Sequence, residues 1–162
     1  MIYNPEEKVK YDPNLNQSEQ SEVRPGVKCF GLAYSKNKKT MKFCERDFYE
    51  KYVHFFHEGK YYRFSSSCYR QLETENENGE KFELDQTTRP TAEGVVRADS
   101  VISVSVVQRA PDGKIHVTFL TKCNLFFEYA VPKAIVDPFL VKATKQLYQN
   151  VDKHYTKNHK RL

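Results

Sequence analysis

The stretch GVVRADSVISVSVVQRAPDGKIHVTFLTKC, residues 94–123, decides how this chain is read. Apolar and β-branched residues fill both of its arms. Between them, Pro111-Asp112-Gly113-Lys114 carries the Asp-Gly signal of a tight hairpin turn. Taking Asp112-Gly113 as a two-residue type I′ turn sets Val104, Val106 and Gln108 opposite Thr121, Phe119 and Val117, with Ala110 opposite Ile115. The apolar alternation of the two arms then runs in phase, and a slip of one residue would send every side chain to the other face. A hairpin over 94–109 and 114–123 is expected.

Working outward, a second hairpin is read upstream, over 46–56 and 61–70, through His57-Glu58-Gly59-Lys60. With Glu58-Gly59 as its turn, Phe56 faces Tyr61, Tyr52 faces Ser65 and Phe48 faces Tyr69. Tyr49, Val53, Phe55, Tyr62, Phe64 and Cys68 fall on the opposite side. The run 27–34 reads as a further strand leading into a lysine-rich loop. Residues 1–25 are polar and punctuated by turns, with room for one helical turn over 5–11 opened by Pro5. Residues 72–93 form a long acidic loop between the hairpins, of a length associated with function or mobility. Beyond 131 the period changes: Val131-Pro132 opens a helix that restarts at Asp137-Pro138, and Leu140, Ala143, Leu147 and Val151 make one apolar stripe. Strands followed by a single long helix define an α+β fold with the helix laid across an antiparallel sheet.

At 162 residues the length suits one domain. Hydrophobic residues make up 39% and aromatic ones 14%, lean in aliphatics but too aromatic for a disordered chain. The lean core calls for either an enclosed cavity or a missing part of the domain. No apolar run is long enough to span a bilayer, and the first residues lack the apolar core of a signal peptide. Cys29, Cys44, Cys68 and Cys123 contain no C-x-x-C pair, so neither a metal nor a dithiol site is expected, and reduced thiols in a cytoplasmic protein are the plainer reading.

Catalytic signals are weak. His54 and His57, three apart on a strand, point to opposite faces and cannot share a metal, and the same holds for Asp47 and Glu50. Ser65-Ser66-Ser67 lacks the strained elbow of a nucleophilic serine, and the glycines stand singly, so no phosphate loop exists. No enzyme, cofactor or metal is expected. The net charge of +5 invites an anionic surface, and Lys36, Lys38, Lys39 and Lys42 cluster beside Met41 and Phe43. Lysines mixed with apolar residues can touch anionic lipid, at ~1 kcal/mol per Lys near the surface. The alternation of aromatics echoes an RNA-stacking sheet, but the Lys/Arg-Gly-aromatic order of that motif is missing, and nucleic acid is not expected.

Several pieces, read in order, resemble the StAR-related lipid-transfer (START) domain. Glu7-Lys8-Val9-Lys10-Tyr11-Asp12-Pro13-Asn14 is similar to its Arg-x-x-Trp-Asp/Asn-Pro stretch, with Tyr11 in place of Trp. Glu45-Arg46-Asp47-Phe48 resembles its Arg-Asp-Phe strand opening, and Gly94-Val95-Val96-Arg97-Ala98-Asp99 its Gly-Val-Val/Ile-Arg-Ala-Glu. Val131-Pro132 resembles the Ile/Leu-Pro that opens its last helix. The resemblance implies a helix-grip fold: a twisted antiparallel sheet of about six strands around a long C-terminal helix, with a lipid in the tunnel between them. It covers 1–156, leaving 157–162 as a basic tail.

Two departures stand out. The family's N-terminal helix and first strands have no counterpart here, so the strand at 114–123 is expected to present a bare edge and to offer a homodimer contact. Leu125-Phe126-Phe127-Glu128 also replaces the usual Asp- and Gly-rich turn before the last helix. The resemblance implies a tunnel lined by Arg46, Phe48, Tyr52 and His54, by Tyr61, Arg63 and Tyr69, by Val104, Val106 and Phe119, and by Leu140, Ala143 and Leu147. Arg46 and Arg63 are the head-group candidates, since a buried Arg must be paired or meet a phosphate. The Lys36–Phe43 loop falls at the tunnel mouth, as a membrane contact. The expected function is binding and intermembrane transfer of a lipid, phospholipid before sterol, with a regulatory module of the same fold as the alternative and, more distantly, an RNA-binding domain.

Overall fold

The computed structural model describes residues 4–24, 28–39, 44–69, 74–75, 81–82, 89–127 and 131–159. Pro5 opens the short helix α1 (Pro5–Tyr11), and the Asn4 side chain accepts the Glu7 amide at 3.1 Å as its N-cap. Strand β1 (Leu15–Arg24) follows and pairs with β2 (Lys28–Asn37). β2 pairs with β3 (Glu45–His57), and β3 with β4 (Lys60–Ser67). The acidic loop carries a two-residue ladder, β5 (Thr74–Glu75) with β6 (Lys81–Phe82), set apart from the main sheet. β7 (Val95–Arg97) lies parallel beside the start of β3. β8 (Asp99–Arg109) joins β4 to β9 (Ile115–Asn124).

The main sheet has seven strands in the order β1-β2-β3-β4-β8-β9, with β7 pairing β3 off that path. β9 ends the order. The chain closes with α2 (Lys133–His159), which packs on α1. This is the expected α+β arrangement, one antiparallel sheet with a long C-terminal helix. α2 is continuous from Lys133, with Pro138 inside it, so the restart expected at Asp137 does not occur. Pro138 sits early enough that its missing N–H removes only one bond near the helix start. The helix also takes in 157–159 of the segment expected as a basic tail.

The first hairpin has the expected register: Phe56 pairs with Tyr61 and Tyr52 with Ser65. Glu58 and Gly59 both have positive φ, at 46° and 73°, as a type I′ turn requires. The second hairpin does not. Val104 pairs with Leu120, Ser105 with Phe119, Val106 with Thr118 and Val107 with Val117, one residue from the expected alignment. Proline is the reason. In a two-residue turn Pro111 would have to donate an amide hydrogen to Lys114, and it has none. The chain instead makes a three-residue loop, with the Gly113 amide bonded to the Ala110 carbonyl at 2.9 Å, the Ala110 amide to the Lys114 carbonyl at 2.7 Å, and Gly113 at φ 82°. Pro111 then occupies the turn position that its fixed φ suits.

Candidate functional site

Register assigns side chains to the two faces of the sheet. Glu50, Tyr52 and His54 of β3 share a face with Ser67, Ser65 and Arg63 of β4. Arg63 and Ser65 stand opposite Ser105 and Ser103 of β8, which in turn oppose Phe119 and Thr121 of β9. This face looks toward α2. Much of it is short: Gly31 and Ala33, then Ser35, Ser65, Ser103 and Ser105. A sheet normally fills the gap to a covering helix with large side chains. Here the short ones leave a cavity of about 300 Å³ between the sheet, α1 and α2.

Ala33, Ser35, Ser65, Ser103 and Ser105 line its sheet side, with Val117 and Phe119 of β9. Thr144, Leu147, Tyr148 and Val151 line its helix side, a stripe at helical spacing. Phe119, 50% exposed, and Tyr148, 40% exposed, stand at its rim. Among the charged residues of its lining are Lys8 and Asp12 from the α1 end, Glu50 from β3 and Arg63 from β4. Arg63 lies over the Tyr52 ring at 3.9 Å and donates to the Gln20 side chain at 3.0 Å. Glu50 accepts the Ser65 hydroxyl at 3.1 Å. Burial pulls the Lys8 ammonium below its ordinary pKa, against the opposing pull of Glu50 and Asp12. Burial likewise pushes the Tyr52 phenol up to about 12.

The structure brings Tyr52, Arg63, Phe119 and Leu147 to this site, with three of the four on the cavity lining and Tyr52 beneath Arg63. Phe48 and Tyr61 share the face but lie off the lining, as does the half-buried Ala143 of the helix. Arg46 is buried elsewhere: it donates to the carbonyls of Leu125 and Cys44, each at 2.7 Å, and its guanidinium lies 4.9 Å from the Phe127 ring centre. It thereby ties the segment after β9 to the start of β3. Val104 and Val106 fall on the opposite face, because β8 pairs with β4 so that they stand opposite Phe64 and Tyr62 while Ser103 and Ser105 stand opposite Ser65 and Arg63. Tyr69 and Leu140 are exposed, at 52% and 44%. Among the lysines, Lys36 is held by Glu45 at 2.7 Å, and Lys38 and Lys39 are exposed. Met41, Lys42 and Phe43 lie outside the described residues. Lys8, Glu50 and the serines of β8 were missed by sequence reasoning, because serines inside an apolar alternation read as outward positions.

The sheet and the long helix enclose a space, and solved structures share this arrangement. The chain is similar to human StAR-related lipid transfer protein 5, with a TM-score of 0.69 and 17% identity over 94% of this chain and 65% of that one. Human STARD10 gives 0.68 and 18%, over 98% and 58%. The lipid transfer and protein localization domain of human StarD13 (DLC2) gives 0.62 and 17%, over 89% and 65%. The chain has the START-domain helix-grip fold, and it spans between 58% and 65% of the length of these proteins. Neither a scan against protein-family models nor a search of the curated proteins finds a match. Among the described residues, no helix is long and apolar enough to cross a membrane.

Proposed function

We propose that this chain binds a lipid, without catalysis, in the cavity between the sheet and α2, and carries it between membranes. The observation that supports this most is the cavity itself, at about 300 Å³ on the helix-facing side of a START fold. That volume stands at the low end for ligand pockets, so it takes a head group and part of a chain, with the rest leaving past Phe119 and Tyr148. Burying that apolar area supplies affinity at about 25 cal/mol per Å².

The cavity carries both signs of charge, Lys8 and Arg63 against Asp12 and Glu50. A zwitterionic phospholipid head group meets such a set better than the single hydroxyl of a sterol, since a guanidinium such as Arg63's pairs readily with phosphate. Lys38 and Lys39, exposed at the end of β2, belong to the basic segment assigned to transient contact with an anionic membrane. β9 at the end of the strand order is where two copies would pair; sedimentation at the monomer mass removes that part of the proposal.

The deciding experiment is native mass spectrometry after incubation with vesicles holding phosphatidylcholine and cholesterol. A one-to-one phospholipid adduct that Arg63→Met weakens is the expected result. An adduct with cholesterol alone overturns the head-group assignment, and no adduct overturns lipid binding.

A further inference from the structure

We propose a transition-metal site at Glu22, Cys29 and His54, suited to Zn²⁺. The three residues come from β1, β2 and β3, adjacent strands. Cys29 pairs directly with His54, and Glu22 pairs with Gly31, whose partner on β3 is Tyr52. One face therefore holds all three side chains, and their ligand atoms lie within 4.8 Å of one another. Zn–S and Zn–N bonds of ~2.0–2.3 Å place tetrahedral ligands roughly 3.3–3.8 Å apart, so closing on the ion needs a shift of about 1 Å. Side-chain torsion alone supplies that.

The donor set is also right. Thiolate, imidazole and carboxylate are the ligands that zinc takes, and a thiolate selects against magnesium and calcium. With the thiolate and carboxylate, a divalent ion makes a neutral cluster. That neutrality matters, because Arg63 lies directly across from His54 in the β3–β4 ladder. On binding, the Cys29 S–H bond breaks, the proton goes to solvent and the S–Zn bond forms.

A second observation points to a ligand. Nδ1 of His54 is buried and makes no hydrogen bond among the described residues, an uncommon condition for a buried polar atom. The imidazole is also held in place, stacked on Tyr52 at 5.6 Å and flanked by Tyr61 at 5.4 Å. Cys29 is 4% exposed, whereas Glu22 is exposed. Three protein ligands with an exposed third leave a fourth position open for water or another donor. The ion would staple β1 to β2 and β3 beside Arg63, at one end of the cavity-bearing face.

Titration of the metal-stripped full chain with Zn²⁺ alone, in competition with a chromogenic chelator, tests the stoichiometry. Co²⁺ then reports the ligands. One ion per chain is expected, with a thiolate-to-cobalt charge-transfer band that Cys29→Ser removes and Cys68→Ser leaves intact. Glu22→Gln, at an exposed position that spares the fold, and His54→Gln should each weaken Zn²⁺ binding ~10-fold or more. No thiolate band in the unmodified chain, or unchanged affinity in Glu22→Gln and His54→Gln, overturns the site.

Discussion

Arg97 grips Asp47 with both prongs of its guanidinium, Nε to Oδ1 at 2.6 Å and Nη2 to Oδ2 at 2.9 Å, and Asp47 has no exposed surface at all. The two residues are also register partners in the parallel β3–β7 pair, and the Ala98 amide bonds to the Asp47 carbonyl at 2.8 Å. The Arg-Asp-Phe and Gly-Val-Val-Arg-Ala-Asp segments, 50 residues apart along the chain at this pair, therefore meet as one unit. Removing Arg97 strands the wholly buried Asp47 carboxylate, which costs about 3–5 kcal/mol, while removing Asp47 leaves a half-buried guanidinium that water partly compensates. Urea unfolding of Arg97→Met should show a loss of that size, and Asp47→Ala a smaller one. The double variant Asp47→Leu/Arg97→Met should lose less than the sum, since replacing both charges leaves nothing uncompensated.

Gly31 is required by what crosses it. A Cβ there would strike the Tyr52 ring and the Ser21 carbonyl, to which the Tyr52 hydroxyl donates at 3.3 Å. Gly31→Ala should destabilise by about 1–3 kcal/mol, as overpacking does. Tyr52→Leu in the same chain should recover only part of it, because the backbone contact remains. Thermal unfolding of the three variants checks this.

Filling the cavity separates fold from function. Ser105→Phe points a ring from β8 into the space, where there is room for it, and so avoids the ~1–3 kcal/mol penalty of overpacking a filled core. Phospholipid uptake from vesicles should drop roughly tenfold or more, equivalent to ~1.4 kcal/mol. Uptake at the level of the unmodified chain would place the ligand elsewhere.

The contact between the two helices is sensitive to acid. His154 of α2 lies 2.6 Å from Glu7 of α1, and its ring is 5.8 Å from Tyr11. The Glu7 carboxyl is held below its ordinary value of 4.5, first by the Lys10 ammonium and then by His154. Its folded form thus gives up the proton more readily than the unfolded one. The stabilisation is complete above that ordinary value and is lost as pH falls through the lower folded one. The protection of α1 amides relative to their intrinsic exchange rate at each pH should fall over that acidic window, and Glu7→Gln should show no such step.

Legibility in the sequence followed local geometry. The first hairpin could be read to the residue because Glu58-Gly59 accepts the positive φ of its turn. The second was read one residue off because Asp112-Gly113 offers the same signal while Pro111 vetoes it. Strand β1, LNQSEQSEVR, was not expected as a strand at all. It lacks apolar alternation because Ser18 and Gln20 line the cavity with short or polar side chains and Glu19 pairs with Arg89 at 2.6 Å on the outside. Tyr52, Arg63, Phe119 and Leu147, candidates implied by the family resemblance, fall on or against the cavity, Phe119 despite the misread register of its hairpin. Lys8 was not, since a lysine in a short helix carries no sign of burial. The Glu22, Cys29 and His54 cluster has no spacing to find, because its members meet only through the pairing of three strands.

The loop at Pro111-Asp112-Gly113 lies outside the cavity lining, yet it settles what the cavity is made of. Its length is odd, and oddness decides which half of β9 looks inward. With an even loop, Val117 and Phe119 would turn to the far side, and His116, Thr118 and Leu120 would face α2 in their place. The chemistry offered to a ligand is thus encoded as a parity, set by one imino acid at a distance. A sheet-and-helix enclosure of this kind can exchange one wall by gaining or losing a single residue in a surface turn, with no substitution inside.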